Sequence, residues 1–196
     1  MFPDEEKQRL RQQARAARST AHDASAELAA LAVADSIKDV FKLAGIAVSE
    51  TVLAGYWPMG SELDIRPALQ SLHDAGAVCA LPVVVSPDQP LVFRRWQPGT
   101  PLSDGGHGTR QPGPEQTEVL PRVVLLPLLA FDDGGMRLGQ GQGYYDRTLA
   151  ALRGKGPVLA IGIAYQAQKL KTLPADEWDQ RLNWVVTEQG ATAYDR

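Results

Sequence analysis

The apolar positions of this chain follow two patterns in turn. Leu10, Ala14, Ala17 and Ala21 recur at helical spacing, and so do Leu28, Leu31, Ile37, Val40, Phe41 and Ala44. They predict one helix over 4–18 and another over 24–44, with Gly45 just past its end. Short apolar runs bounded by turn residues predict strands over 51–56, 77–85, 91–96, 123–129 and 157–164, with a last one at 185–188. Asp64 is a candidate N-cap for a helix running to Ala75, with Pro67 in its first turn and Gly76 closing it. A further helix is expected over 145–153, where Leu149 and Leu152 share a face. Residues 86–90 read as a turn. Residues 97–122, rich in Pro and Gly, read as one long surface loop, a kind of segment that is uncommon unless functional. Helices alternating with buried strands predict an open α/β sheet, mostly parallel and Rossmann-like, with helices on both faces in three layers.

Composition narrows the possibilities. With 196 residues, 44% hydrophobic and 22% charged, one domain over 1–196 is expected, long enough to bury a core. A net charge of −3 argues against broad binding to nucleic acid or anionic membranes, so any anion site must be a local cluster. The single cysteine, Cys79, lies in an apolar run and admits no disulfide framework, which fits a cytoplasmic location. The N-terminus lacks an apolar signal core and opens with Asp4, Glu5 and Glu6, as a helix dipole favours. Lys7, Arg11, Arg15 and Arg18 then recur at steps of four, four and three. The ordinary explanation of such a row is a solvated face, although like charges four apart repel and an anionic partner would relieve them.

The chemistry concentrates in residues 131–146, FDDGGMRLGQGQGYYD, where a buried strand hands over to a helix. Gly139, Gly141 and Gly143 let the backbone take positive φ and approach a ligand. The following helix N-terminus suits a phosphate. Arg137 adds a charged fork and Asp146 a carboxylate in the first helical turn. No Gly-Lys-Ser or Gly-Lys-Thr ends the loop, and the spacing fails the dinucleotide fingerprint. The residues alone therefore indicate a phosphate-facing loop with a metal ion nearby, or a plain glycine-rich turn. His107, in GGHGT, has no second ligand near it in sequence and reads as a loop histidine.

The run PLLAFDDGGMRLGQGQGYYDR, starting at Pro127, resembles the signature of the 5-formyltetrahydrofolate cyclo-ligase (5,10-methenyltetrahydrofolate synthetase) family. Matching segments extend the resemblance from Lys7 to Glu188: Lys7-Gln8-Arg9-Leu10-Arg11, Tyr56 through Glu62, Gly162 to Gln168, and Pro174 with Asp179. The resemblance implies ATP-dependent closure of 5-formyltetrahydrofolate to 5,10-methenyltetrahydrofolate, with ATP as co-substrate and Mg²⁺. It assigns Lys7, Arg11, Arg137, Leu138, Gly139, Gln140, Gly141, Gln142, Gly143, Tyr144 and Tyr145 to ATP. It assigns Trp57, Glu62, Gln140 and Tyr144 to the folate, with Glu62 on the pterin. It assigns Arg137, Gln140 and Tyr144 to catalysis, and Asp146 and Asp179 to Mg²⁺. The chain departs from the family at Gln140 and Gln142, where some relatives carry arginine and lysine. It departs again at Gln111-Pro112, where the family has Glu-Pro, and at Asn183, where a second aspartate is usual. A monomer acting on small molecules, with no nucleic acid or membrane partner, is expected. The competing readings are a folate- or nucleotide-binding protein without catalysis and, from fold class alone, a sugar-phosphate isomerase or acyl transferase.

Overall fold

The computed structural model describes residues 3–194, without the side chains of Pro3, Asp4 and His107, so the expectations for Asp4 and His107 lie outside what is described. In chain order the elements are α1 (Pro3–Leu43), β1 (Val52–Ala54), α2 (Arg66–Asp74), β2 (Val78–Val83), β3 (Val92–Arg95), β4 (Leu102–Asp104), β5 (Arg110–Pro112), β6 (Glu118–Val119), β7 (Val123–Pro127), β8 (Ala130–Phe131), β9 (Arg137–Leu138), α3 (Tyr144–Arg153), β10 (Leu159–Ile163), β11 (Trp184–Thr187) and β12 (Gly190–Ala193). Eight strands form the main sheet in the order β12-β11-β10-β7-β1-β2-β3-β6. The five from β11 to β2 run parallel; β12 and β3 flank them antiparallel, and β6 pairs antiparallel with β3 at the outer edge. The mostly parallel α/β sheet read from the sequence is therefore present.

The central strands are apolar on both faces because both are covered. Leu53, Cys79, Leu81, Val123 and Leu125 face a core built with Val33, Ile37, Val40 and Phe41 of α1 and Leu69 and Leu72 of α2. Ala54, Ala80, Val124 and Leu126 face the other way, against Leu149 and Leu152 of α3. Each fully buried Leu, Ile or Phe contributes about 1.5–3 kcal/mol. Leu28 and Leu31, expected in this core, are exposed at 75% and 54%.

Three expectations are corrected. The two N-terminal helices are both present, but they meet directly at a kink at Ser25, whose φ of −154° and ψ of 20° are not helical, instead of leaving 19–23 between them. The N-terminal half of α1 leaves the sheet and lies over the cleft described below. Second, α2 is capped by Ile65, not Asp64. Asp64 accepts the Arg66 N–H at 2.9 Å and clasps the Arg66 guanidinium, so it braces the turn one residue early. Third, residues 97–122 are not one irregular loop. They carry the β4–β5 hairpin and the edge strand β6. Pro and Gly mark the turns between these strands, and strands this short leave no readable alternation.

Candidate active site

A cleft of about 410 Å³ opens at the C-terminal ends of the parallel strands, where open α/β sheets bind ligands. Its floor is the end of β7, Pro127 to Leu129, and one wall is residues 137–146. Tyr56, Trp57 and Glu62, after β1, form a second wall, and the N-terminal half of α1 covers the cleft with Lys7, Arg11 and Arg18.

Two polar side chains fix this frame from below. Gln168 donates its amide to the Leu128 and Leu129 carbonyls at 2.8 and 3.0 Å, pinning the end of β7. Buried Asp132 accepts the N–H groups of Gly134 and Met136 with one oxygen and that of Leu173 with the other, all at 2.9 Å. That aspartate closes the β8–β9 hairpin and ties residues 173–180 to it. Arg137 on β9 is thereby placed against α3 and the 176–180 segment together.

The glycine loop leads into α3 through Gly143, which holds φ +67° at the N-cap, and no side chain caps the helix there. Its first-turn amides therefore face the cleft with the positive end of the dipole. Gly141 holds φ +105°, and a Cβ on it would stand 3.2 Å from Arg11 Cζ. Only glycine meets both demands comfortably. Arg11 Nε donates to the Gly139 carbonyl at 3.1 Å, and Arg15 holds Gln140 Oε1 with two N–H groups at 2.8 and 3.3 Å. Arg147 Nη2 donates to the Gln142 carbonyl at 2.8 Å, and its guanidinium lies 5.2 Å over the Tyr144 ring. Leu138 turns its side chain into a small core with Ala14, Leu129 and Met136.

At one end of the cleft lie the charged partners of the loop. Arg137 Nη2 donates to Asp146 Oδ1 at 2.7 Å and Nη1 donates to the Gln180 carbonyl. The Gln180 N–H reaches the same Asp146 oxygen at 2.9 Å. Lys7 Nζ donates to Asp176 at 2.6 Å and to Asp179 at 3.0 Å. Burial disfavours the Lys7 ammonium, but its hydrogen bonds to Asp176 and Asp179 outweigh that and hold its pKa above the ordinary lysine value. At the other end, Glu62 is 6% exposed. Burial pushes its carboxyl above the usual range, against the Met59 N–H at 3.0 Å and the Arg18 guanidinium at 3.6 Å. The phenols of Tyr56 and Tyr145 are also pushed up by burial and by the Glu62 charge, so both stay neutral. Trp57 stands edge-on to Trp96 at 6.0 Å and under Arg66 at 5.4 Å, combining core packing with a face on the cleft.

Among the described residues, no group of three His, Cys, Asp or Glu side chains could hold a metal unaided. Asp146 and Asp179 nevertheless line one cleft, and each uses only one oxygen, Oδ1 and Oδ2 respectively, for its bonds among the described residues. Mg²⁺ takes one or two carboxylates and completes its shell with phosphate oxygens and water. Two hard oxygens beside the glycine loop and the open α3 N-terminus fit that demand.

The residues expected at the site are therefore brought together. Of the α1 cations, Lys7 and Arg18 are buried, at 7% and 8% exposed, and line the cleft with Arg11, whereas Arg15 is exposed, as the solvated-face alternative has it. At 3.6 residues per turn, positions eleven apart return to within about 20° of each other, whereas Arg11 and Arg15 swing away by about 40° and 80°. That eleven-residue spacing was the signal for Arg18. Asp176 was missed as well; its signal was its place three residues before Asp179, just after Pro174. Asn183 is structural, accepting the Ala160 N–H at 2.9 Å.

The chain matches the model of the 5-formyltetrahydrofolate cyclo-ligase family over residues 3–188. It is 35% identical over 135 residues to the 5-formyltetrahydrofolate cyclo-ligase of Haemophilus influenzae, covering 66% of this chain and 72% of that one. With the Escherichia coli K12 protein of the same name it shares 34% over 148 residues, covering 72% and 80%. The NMR structure of Aquifex aeolicus 5,10-methenyltetrahydrofolate synthetase superposes with a TM-score of 0.76 at 27% identity, over 97% of this chain and 93% of the other. A 5,10-methenyltetrahydrofolate synthetase from Mycoplasma pneumoniae gives a TM-score of 0.67 at 23% identity over 93% and 98%, a likeness of fold.

Proposed function

The chain belongs to the 5-formyltetrahydrofolate cyclo-ligase family, and from that premise we propose that it closes 5-formyltetrahydrofolate to 5,10-methenyltetrahydrofolate at the expense of ATP, releasing ADP and phosphate. The observation that carries this reading is the course of α1 over the cleft. Lys7 reaches the Asp176–Asp179 pair at one end, and Arg18 reaches Glu62 at the other. Eleven residues of helix separate the two ends by about 16 Å. That supports a cleft with a phosphate end and a ring end, joined where a phosphoryl group could meet a formyl oxygen.

The chemistry accounts for the residue types. A formamide carbon is a poor electrophile and its oxygen a poor leaving group. Transfer of the γ-phosphoryl group forms an O–P bond and releases ADP. N10 then attacks the formyl carbon and loses its proton, and the C–O bond breaks with phosphate as the leaving group. Such transfer needs positioning and charge neutralisation more than covalent help from the protein. Lys7, Arg11 and Arg137 supply positive charge around the phosphates, and the N–H groups of residues 139–143 line their path. Gln140 in the glycine loop and Tyr144 at the start of α3 line the same cleft and would bond the group in transit. Glu62 accepts from the N–H edge of the pterin, and Trp57 packs beside it. Asp146 and Asp179 would hold Mg²⁺, which supplies further neutralisation of the transferring phosphoryl group. No Ser, Cys or His nucleophile is required. We read the chain as one domain acting as a cytoplasmic monomer; no described helix is long and apolar enough to cross a membrane.

The test mixes protein, MgATP and 5-formyltetrahydrofolate and follows the near-UV absorbance of the methenyl product together with ADP. Equal amounts of both are expected. Folate binding without ADP release would favour the binding-protein alternative.

A further inference from the structure

Arg18 is an unusual residue to bury. Its guanidinium is 8% exposed, donates from Nε to Ser61 Oγ at 3.1 Å, and stands 3.6 Å from Glu62 Oε1. A buried ion pair is a weak source of stability, because desolvating two charges offsets most of their attraction. A stabilising strut therefore does not account for it well. The position of the pair does: both members line the cleft at the end away from the Asp146 and Asp179 carboxylates.

We propose that Arg18 is a positioning residue for the folate half of the site: tied to Ser61, it holds the Glu62 carboxylate in place and in its charged form for the pterin N–H edge. This rests on the reading of Glu62 as the folate anchor. The groups acting on Glu62 come from three elements. Arg18 projects from α1, Tyr56 follows β1, and Tyr145 opens α3. Both phenols stay neutral, so the cation facing Glu62 is Arg18. The Met59 N–H fixes the other carboxylate oxygen, Oε2. Burial already drives the Glu62 carboxyl upward, and Arg18 opposes that drive. Without Arg18 the carboxyl would rise further and take up a proton at a higher pH, losing its acceptor character toward the pterin.

The experiment compares the wild-type protein with Arg18→Gln, Arg18→Lys, Ser61→Ala and Glu62→Gln. It measures kcat/KM for 5-formyltetrahydrofolate across the acid-to-neutral range, KM for ATP, and thermal unfolding. Arg18→Gln is expected to raise the folate KM about tenfold or more at neutral pH, as removing one partner of a desolvated charge pair does. It should move the acidic limb of kcat/KM to higher pH and leave the ATP KM unchanged. Arg18→Lys should recover most of the limb, and Glu62→Gln should abolish it. A limb at the wild-type pH in Arg18→Gln, or equal losses toward folate and ATP, overturns the inference. Should Arg18→Gln fail to fold, Ser61→Ala decides, because it frees the guanidinium while leaving its charge. A raised folate KM there supports the role, and an unchanged one overturns it. Loss of folate binding in Glu62→Gln with no effect at Arg18 or Ser61 defeats this inference alone. A wild-type protein that does not bind 5-formyltetrahydrofolate removes the functional reading and this inference with it.

Discussion

Lys7 and Asp179, 172 residues apart in the chain, meet at 3.0 Å between Nζ and Oδ2. Asp176 takes the same ammonium at 2.6 Å. The contact closes the N-terminal half of α1 against the far end of the chain, across the mouth of the candidate phosphate site. Asp176 is more than half exposed, so its arm of the contact adds little to folding, about 0–1 kcal/mol. The role of the contact is better sought in catalysis. Lys7→Met is expected to lower kcat about 10²–10³-fold, the usual cost of removing one preorganised charge from a transition state. The thermal midpoint should move by only a few degrees. Steady-state kinetics beside a melting curve checks this, and a large fall in melting temperature with kcat intact would make Lys7 a strut.

A second prediction concerns Asp146. Its Oδ1 already holds Arg137 and the Gln180 N–H, so it cannot be regarded as a metal ligand alone. Asp146→Asn should abolish Mg²⁺-dependent turnover. It should also cost about 1–3 kcal/mol of stability, since Arg137 loses its charged acceptor. Denaturant unfolding measures the second effect, and a Mg²⁺ titration of activity measures the first. Turnover that survives with an unaltered Mg²⁺ requirement would remove Asp146 from the metal site.

Glu62 yields a prediction that separates the two ends of the cleft. Glu62→Gln keeps the shape and removes the charge, at a cost of roughly 1.5–3 kcal/mol toward a ligand bonded to the carboxylate. That corresponds to about 10–150-fold in the 5-formyltetrahydrofolate KM, with the ATP KM little changed. A rise confined to ATP would place Glu62 in the wrong half of the site.

How much of this was legible beforehand differs by kind of feature. The parallel core could be read because β1, β2, β7 and β10 are buried on both faces and so appear as unbroken apolar runs. The β4–β5 hairpin and β6 could not, since strands of two or three residues carry no period. The two N-terminal helices were legible from their apolar spacing, but the kink at Ser25 was not, because Leu28 and Leu31 continue the register of Leu10, Ala14, Ala17 and Ala21. The glycine loop announced itself through its spacing. The α1 cations did not by their spacing, because a row of charges looks the same whether it faces water or a cleft, and only the family resemblance singled out Lys7 and Arg11. Only the fold reveals that Lys7 meets aspartates and Arg18 meets a glutamate. Asp176 stayed hidden for the same reason, one carboxylate among several in a polar segment.

The last prediction compares two glycines of the same loop. Gly141 holds φ +105°, and a Cβ there would stand 3.2 Å from Arg11 Cζ and 3.4 Å from Nη2. Gly139 has no positive φ, and a Cβ there would meet nothing within 4 Å. Gly141→Ala therefore carries both backbone strain, of order 1–3 kcal/mol, and a displaced Arg11. Its ATP KM should rise while its folate KM holds, and its unfolding midpoint should fall. Gly139→Ala should leave stability unchanged, because the free protein has room for the methyl group. Its ATP KM then reports how closely the phosphates approach. If the triphosphate lies against the 139–143 backbone, the methyl group collides with it and ATP weakens in a protein of wild-type stability. If ATP binds Gly139→Ala normally, the phosphates stand off from that residue, and the α3 N-terminus with Arg137 must hold them instead.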